Sequence, residues 1–203
     1  MRRALRAGFT LIELLVVSAI IIILTMVLLL RQSSFDSSTI LRSVAYSVAL
    51  SVRQAQVYGT SVLGSASGGS VKYASAYGLY FSNSTPTSYV LFADFNNNGV
   101  YDPSTETIKV FTLNSGYTLY RACGTISAGV SRCTNVSGPF TMGTSAVTIL
   151  FRRPNPDAVF KTDTTSETYV SAWIEVQSPS STKRAILVTA AGQISVQVLG
   201  ATP

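Results

Sequence analysis

Oxygen-bearing side chains recur at alternate positions in one short stretch of the chain. Asp94, Asn96 and Asn98 are followed by Gly99, and a second carboxylate comes at Asp102. Carboxylate and amide oxygens at this spacing, with a glycine for the sharp turn, resemble the first part of a calcium-binding loop. The stretch therefore suggests a structural calcium ion rather than a catalytic one.

The match to a calcium loop is incomplete at its far end. An EF-hand loop has a bidentate Glu at its twelfth position, whereas this chain has Thr105 there and Glu106 one residue later. The alternative is a plain Asn-Gly turn between two strands, in which Asn and Asp make local hydrogen bonds. Both interpretations stay open at this point. The first assigns the calcium ligands to Asp94, Asn96, Asn98, Asp102 and Glu106.

A second residue of chemical interest is Glu13, the one charge within the apolar run from Phe9 to Leu30. The run has 22 residues. At about 1.5 Å per helical residue it spans roughly 33 Å, enough to cross a bilayer core of about 30 Å. A carboxylate within a membrane costs on the order of a few kcal/mol and needs a partner. Glu13 is therefore a candidate functional residue.

The residues before the run predict its orientation in the membrane. Met1 to Gly8 contains three arginines and no acid, which keeps this leader on the cytoplasmic side. The small residue Gly8 precedes the apolar run, whereas the cleavage site of a secretory signal follows it. A cut after Gly8 leaves the anchor attached. We expect a single-pass protein of the inner (cytoplasmic) membrane whose C-terminal part is extracytoplasmic.

The order of these features resembles the N-terminal signature of the type IV pilin and pseudopilin family. That signature is a short basic leader, Gly8, Phe9, the residues Thr10-Leu11-Ile12-Glu13 and about twenty apolar residues. The resemblance implies cleavage between Gly8 and Phe9 by a prepilin peptidase and N-methylation of the new Phe9 amine. It also implies an assembly role for Glu13, whose carboxylate would meet the cationic amine of an incoming subunit and favour the correct register.

The same resemblance implies the partners of the chain. They are other pilins or pseudopilins in a filament, the prepilin peptidase, an inner-membrane assembly platform and the membrane itself. The final location would be a filament at the cell surface. The alternative from the residues alone is an ordinary signal-anchor that never polymerises, in which Glu13 lies near the headgroups.

Beyond the membrane run, the sequence predicts an amphipathic helix half. Ile40, Val44, Val48 and Val52 recur every four residues to about Tyr58 and would form an apolar face. We expect one helix from Phe9 to about Tyr58, loosened around residues 33–38. The predicted division is a leader at 1–8, a filament-core helix at 9–30, an amphipathic half at 31–58 and a β-rich globular domain at 59–203.

The fold class predicted for the whole chain is α+β, with a long N-terminal helix packed on an antiparallel β-sheet domain. Runs rich in β-branched and aromatic residues alternate with turn signals along the globular domain. Strands are expected at residues 72–81, 88–95, 108–113, 118–122, 146–151, 169–177, 183–189 and 193–199.

The C-terminal order of strands is similar to that of GspH/FimT-like pseudopilins and minor pilins. A strand ending at Phe151, a Pro-rich loop, Ile174-Glu175-Val176 and two final strands carry this likeness, and the absence of proline between Phe9 and Tyr58 agrees with it. The implied function is a structural or priming subunit of a type IV pilus or type II secretion pseudopilus. The alternative is a filament-tip binding module for DNA, a surface or an exported substrate.

Cys123 and Cys133 are the two cysteines of the chain and lie in a Gly/Ser-rich segment. In an oxidising compartment we expect them to form a disulfide that contributes about 2 to 3 kcal/mol. The sequence contains no His, so a zinc site lacks ligands and a catalytic thiol lacks its usual base. No phosphate-binding loop or GxSxG motif occurs either, and we expect no enzymatic activity.

Charge gives little sign of nucleic-acid binding. The formal net charge is +6, but three of the 15 basic residues lie in the leader, so processing leaves 12 against 9 acidic residues. A strongly basic surface is not indicated, and we expect no nucleic-acid partner. Two short basic pairs, Arg152-Arg153 and Lys183-Arg184, are either a small patch for DNA or a neighbouring subunit, or solvated charges.

Overall fold

A computed structural model describes residues 9–61, 64–67, 70–135, 141–163 and 167–198. The predicted leader, including the Gly8 side of the cleavage site, lies outside the described residues, as do the last five residues of the chain.

The chain begins with one helix, α1 (Leu11–Thr60), of 50 residues. At about 1.5 Å per residue it is roughly 75 Å long. Its backbone stays helical through residues 33–38, where we expected a loosening, and it ends two residues beyond Tyr58. Gly59 in the last turn lets α1 approach the sheet closely, because a Cβ at this position would collide with the Phe151 carbonyl oxygen.

The first part of α1, Leu11–Leu29, is long and apolar enough to cross a membrane, and none of it is buried against the rest of the chain. We call it the membrane half. Its surface is left to be covered by lipid or by other protein. This arrangement is consistent with a single-pass anchor near the N-terminus.

The second part of α1 packs its apolar face into the globular domain and is called the domain half, residues 31–60. The buried face differs from the predicted one at its start, because Ile40 is 38% exposed whereas Leu41 is completely buried. A strict four-residue spacing drifts by about 40° per step around a 3.6-residue helix, so three steps carry Ile40 away from the face of Val52. The buried hydrophobic residues are Leu41, Val44, Ala45, Val48, Val52 and Ala55.

The described residues after α1 form thirteen strands. Their bounds are β1 (Gly64–Ser67), β2 (Ser70–Tyr73), β3 (Ala76–Ser82), β4 (Ser88–Asp94), β5 (Thr107–Thr112), β6 (Thr118–Ile126), β7 (Ser131–Cys133), β8 (Thr141–Gly143), β9 (Ala146–Arg152), β10 (Ala158–Thr162), β11 (Tyr169–Gln177), β12 (Lys183–Thr189) and β13 (Ile194–Val198).

These strands make a β1–β2 hairpin and two larger sheets. The five-stranded sheet has the order β10-β9-β3-β4-β5, and the six-stranded sheet has the order β13-β12-β11-β6-β7-β8. All pairs are antiparallel except β7 with β8. The structure thus confirms the predicted α+β class, a long apolar N-terminal helix followed by an antiparallel domain.

Both larger sheets share one core with the domain half of α1. The helix contacts β3 and β9 of one sheet and β11, β12 and β13 of the other. Large buried side chains from the two sheets, such as Phe81 and Ile174, belong to the same cluster as Leu41 and Val48. The helix therefore fixes the two sheets relative to each other.

The predicted strands differ from the observed ones mainly near short or irregular segments. The expected strand at 72–81 is divided into β2 and β3, and the one at 118–122 continues to Ile126. The sequence analysis missed β1, β7, β8 and β10, all of three to five residues. Such short strands carry too few side chains to show a period of two.

The burial of Leu41 beside the exposed Ile40 gives a sharp test of this packing. We expect Leu41→Ala to lower the free energy of unfolding by about 2 to 5 kcal/mol, because it leaves a cavity in the shared core. The matched variant Ile40→Ala should cost about 1 kcal/mol or less. Urea unfolding of the full chain in detergent, followed by the fluorescence of its single tryptophan, measures both. Equal losses would contradict the described register.

Candidate functional site

The N-terminus of α1 is held by a capping interaction between Thr10 and Glu13. Thr10 is the N-cap, its Oγ1 accepts a hydrogen bond from the Glu13 amide at 3.3 Å, and the same hydroxyl donates to Glu13 Oε2 at 3.4 Å. The spacing of Thr10 and Glu13 is the Thr-x-x-Glu signature of a capping box, which the sequence analysis overlooked. In the first turn the carboxylate also lies where the helix dipole favours a negative charge.

The residues around Glu13 present an open apolar surface. Phe9 is 75% exposed and its neighbours Leu11 and Ile12 are 83% and 71% exposed. Glu13 is itself exposed in the single chain. The structure thus leaves the Glu13 carboxylate accessible to a group from another molecule, as an assembly role requires.

The loop between β4 and β5 begins and ends with buried carboxylates. Asp94, the last residue of β4, and Glu106, just before β5, are both completely buried. Asp94 Oδ2 accepts a hydrogen bond from the Gly99 amide at 2.9 Å. Asn97 and Gly99 have φ angles of 61° and 71°, so the chain reverses sharply here, as the sequence predicted for an Asn-Gly turn.

The middle of the loop contains the local hydrogen bonds expected of Asx turns. Asn96 Oδ1 accepts from the Asn98 amide at 3.0 Å, and Asn98 Oδ1 accepts from the Val100 amide at 2.6 Å. Asp102 accepts hydrogen bonds from Ser104 and Thr105. The bonds from the Ser104 hydroxyl and amide, and then that from Thr105, lower the pKa of Asp102 below its usual value. The Asp102 carboxylate therefore stays ionised at neutral pH.

Glu106 closes the loop. Its Oε1 accepts from the Phe95 amide at 3.2 Å and its Oε2 accepts from the Asp102 amide at 3.0 Å. These two bonds join the start and the end of the loop through one buried side chain. Each oxygen can still accept a further interaction, so a ligand role for Glu106 stays a prediction.

One carboxylate oxygen in this loop is buried without a described hydrogen-bond partner. Asp94 Oδ1 is buried and has no hydrogen-bond partner among the described residues. The Arg152 guanidinium nitrogen lies 3.8 Å from the other oxygen, Oδ2, and the Lys161 ammonium donates to the Asn98 carbonyl at 2.7 Å. Within the described part of the chain, no group of three or more His, Cys, Asp or Glu side chains could hold a metal. Any calcium ion would therefore also need amide or carbonyl oxygens.

Cys123 and Cys133 are joined by a disulfide in the structure. They are directly paired residues of β6 and β7, and both are completely buried. The bond attaches the short strand β7 to the centre of the six-stranded sheet, where Cys123 is also in register with Trp173 of β11.

The basic pairs named from the sequence are largely engaged within the chain. Arg152 lies near Asp94, Arg153 donates to the Ala74 carbonyl at 2.9 Å, and the Lys183 ammonium lies 3.2 Å from the centre of the Tyr120 ring. These contacts favour a local structural role over a free basic patch.

Strand β11 contributes to a buried ion pair, although its alternating apolar and polar residues do not indicate one. Ile174 and Val176 are completely buried in the core, and Glu175 between them is only 1% exposed. Its Oε1 accepts from the Arg121 guanidinium at 2.7 Å, and that guanidinium lies 4.7 Å from the centre of the Trp173 ring. The acidic residue is thus covered by an arginine rather than by water, which alternation alone could not indicate.

Comparison with known proteins gives one match, at the N-terminus. Residues 3–29 match the family model described as the prokaryotic N-terminal methylation motif. No curated protein and no solved structure matches the chain. The motif supports a type IV pilin-like precursor that prepilin peptidase processes and that assembles with other pilins. Proteins of this class are structural rather than enzymatic.

The buried disulfide predicts a measurable loss of stability on its removal. We expect the free energy of unfolding of the double variant Cys123→Ala, Cys133→Ala to be about 2 to 3 kcal/mol lower than that of the oxidised wild type. The reason is that the unfolded chain gains conformational entropy when the cross-link is removed. Urea unfolding with and without reductant measures this. Reductant should lower the wild type to the level of the variant and leave the variant unchanged. Equal stability of the two oxidised proteins would contradict the prediction.

Proposed function

We propose that the chain is a minor pilin or pseudopilin, a structural or priming subunit of a type IV pilus or type II secretion pseudopilus. The observation that carries the proposal is the unbroken helix α1. One half bears the methylation motif and is apolar and exposed, and the other half is built into the core of a globular domain. Such a helix can leave the bilayer for a filament core without unfolding the domain.

Processing would convert the N-terminus into a charged group beside Glu13. A prepilin peptidase that cuts between Gly8 and Phe9 releases the arginine-rich leader and exposes a cationic amine, which is then N-methylated. When an incoming subunit is added, its Phe9 amine meets the Glu13 carboxylate of an assembled subunit. Each of the two buried charges is then compensated by the other. The capping bond, in which the Glu13 amide donates to Thr10 Oγ1, holds the Glu13 backbone in the first turn while the Glu13 side chain stays exposed.

The narrower assignment to minor pilins or pseudopilins is supported by two features. The helix carries no proline from Phe9 to Tyr58 and its backbone is helical from Leu11 to Thr60. Strands β9, β11, β12 and β13 cover the segments that carry the likeness to GspH/FimT-like subunits described above, and the short strand β10 lies between β9 and β11. The alternative, a tip module that binds DNA, a surface or an exported substrate, draws less support, because Arg152, Arg153 and Lys183 contact groups of the same chain.

A structural calcium ion in the loop between β4 and β5 is part of the proposal. The unpartnered Oδ1 of Asp94 supports it, and Asn96, Asn98, Asp102 and Glu106 are the further proposed ligands. Such an ion would fix a surface loop of the displayed domain and would take no part in a reaction.

The charge of Glu13 is the first element to test. We expect Glu13→Ala and the isosteric Glu13→Gln to reduce the amount of protein in sheared filaments at least tenfold, because the incoming amine loses its partner. The control Asp157→Asn removes an exposed acid outside the membrane half and should leave filaments unchanged. Quantitative immunoblots of the sheared and membrane fractions measure this. Normal filaments with Glu13→Gln would contradict the proposed role.

Calcium titration of the full chain in detergent tests the loop. We expect Asp94→Asn to weaken calcium binding at least tenfold, whereas Arg152→Gln should strengthen it, because a competing cation is removed from beside Asp94. Asp157→Asn again serves as the control. Isothermal titration calorimetry measures the calcium affinities of the wild type and the three variants. Absence of binding to the wild type, or unchanged binding to Asp94→Asn, would leave the plain turn as the correct interpretation.

A further inference from the structure

The outer face of the six-stranded sheet, on the side away from α1, carries a shallow groove. The groove has a volume of about 370 Å³ and crosses five strands, from β13 through β12, β11 and β6 to β7. We call it the sheet groove. Its described lining residues are Thr125, Ser131, Ser171, Trp173, Ala185, Leu187 and Gln197. None of these residues belongs to the core cluster that the sheet shares with α1.

The register of the strands brings the lining side chains together. Side chains alternate between the two faces of a strand, so Trp173 of β11 faces away from the core that contains its neighbours Ala172 and Ile174. On the next strand Leu187 lies directly opposite Trp173. The other cross-strand pairs of the groove are Ser171 with Thr125, Thr125 with Ser131, and Ala185 with Gln197. The groove is therefore built by the same ladders that build the sheet.

The sheet groove is held in place before any ligand binds. The hydroxyls of Thr125 and Ser131 are hydrogen-bonded to each other at 2.9 Å. Cys123, which is in register with Trp173, is tied to the neighbouring strand by the disulfide with Cys133. A preformed site orders few groups when a ligand binds, which reduces the entropic cost of binding.

The lining of the sheet groove is neutral, and the arginines beside it are compensated. The Arg121 guanidinium lies 4.7 Å from the centre of the Trp173 ring. The same guanidinium donates to Glu175 at 2.7 Å. Arg132 of β7 donates two hydrogen bonds to Glu167, at 2.6 and 2.7 Å. Charge complementarity therefore favours a neutral ligand over an anionic one.

The backbone around the sheet groove is already used by the sheet. Strands β12, β11, β6 and β7 each lie between two paired neighbours, so their amide and carbonyl groups form the ladders. A peptide that binds by strand addition needs an exposed sheet edge. A ligand in this groove has to be recognised by side chains, which offer one aromatic ring, two aliphatic groups, three hydroxyls and one amide.

We infer that the sheet groove binds a neutral oligosaccharide. A pyranose ring carries apolar C–H groups on its faces, which pack on an aromatic ring such as that of Trp173. Its hydroxyls both donate and accept hydrogen bonds, as do the hydroxyl groups and the Gln197 amide of the lining. Four strand spacings of about 4.8 Å give the groove a length of about 19 Å, which suits a chain of several sugar rings.

This inference goes beyond the proposed function, because it assigns a ligand to the globular domain and does not depend on how the subunit assembles. Trp173 is the single tryptophan of the chain, so its fluorescence reports on the groove. The probes are maltohexaose, cellopentaose and N-acetylchitohexaose, added to the full chain in a detergent without a sugar headgroup. We expect at least one of them to change the fluorescence saturably, with the same affinity by calorimetry. No saturable change with any of the three would overturn the inference.

A matched pair of glutamine variants locates the binding. Gln197→Ala removes an amide of the groove and should weaken binding of the same probe about fivefold. Gln193→Ala removes an exposed glutamine from the turn before β13, outside the sheet groove, and should leave the affinity unchanged. Trp173→Ala should weaken binding about tenfold or more by calorimetry, with circular dichroism as the check on its fold. Unchanged binding to Gln197→Ala, or equal weakening by Gln193→Ala, would overturn the inference.

Charged probes test whether the ligand is neutral. We expect hexagalacturonate and a single-stranded oligonucleotide to bind more weakly than the neutral sugar, because the described lining offers no uncompensated cation. Tighter binding of either charged probe would overturn the assignment of a neutral ligand. None of these measurements requires filaments, so the result for the groove and the result for the proposed function are obtained separately.

Discussion

The structure depends on one helix that has to satisfy two apolar environments at once. The domain half of α1 contributes Leu41, Val48 and Val52 to a core shared by both sheets, so the domain cannot separate from the helix without losing that core. The membrane half buries nothing in its own chain. Because the helix is unbroken, any force or displacement applied to the membrane half is transmitted to the whole domain. This coupling is what a filament subunit that is extracted from a membrane requires.

Buried carboxylates recur in the globular domain, and each is compensated in a different way. Glu106 accepts hydrogen bonds from two backbone amides, Glu175 pairs with Arg121, and Asp94 accepts one hydrogen bond from a backbone amide and has the Arg152 guanidinium 3.8 Å away. Both oxygens of Glu106 accept hydrogen bonds within the chain, whereas Glu175 has one bonded oxygen, Oε1, and one buried oxygen, Oε2, without a described hydrogen-bond partner. Asp94 likewise keeps one buried oxygen, Oδ1, without a described hydrogen-bond partner. Calcium is proposed at Asp94 because it lies in the loop that also carries Asn96, Asn98, Asp102 and Glu106, whereas Glu175 lies within β11 beside Arg121.

The sequence alone was sufficient to predict the features that depend on the composition of long segments. The apolar run, the α+β class and the long strands β11 and β12 are of this kind, because many residues contribute to each. The sequence was insufficient to predict burial where tertiary contacts determine which residue is covered. Ile40 and Leu41 are both apolar, and only packing determines which is buried. Glu175 is the polar residue in an alternating apolar and polar pattern, which predicts that it faces solvent, but the Arg121 side chain from another strand covers it. The far end of the calcium-like motif was likewise ambiguous, because Glu106 is one residue beyond the expected position, and its bonds to the Phe95 and Asp102 amides depend on the folded loop.

The most direct test of this account is the mass of the N-terminal peptide of the protein in filaments sheared from cells. The account predicts a peptide that begins with N-methylated Phe9, at low abundance relative to a main subunit if the chain is a minor pilin or pseudopilin. High abundance of the same peptide would make it a main filament subunit and contradict the narrower assignment. An intact leader beginning at Met1, with no signal in the filament fraction, would contradict the pilin account as a whole.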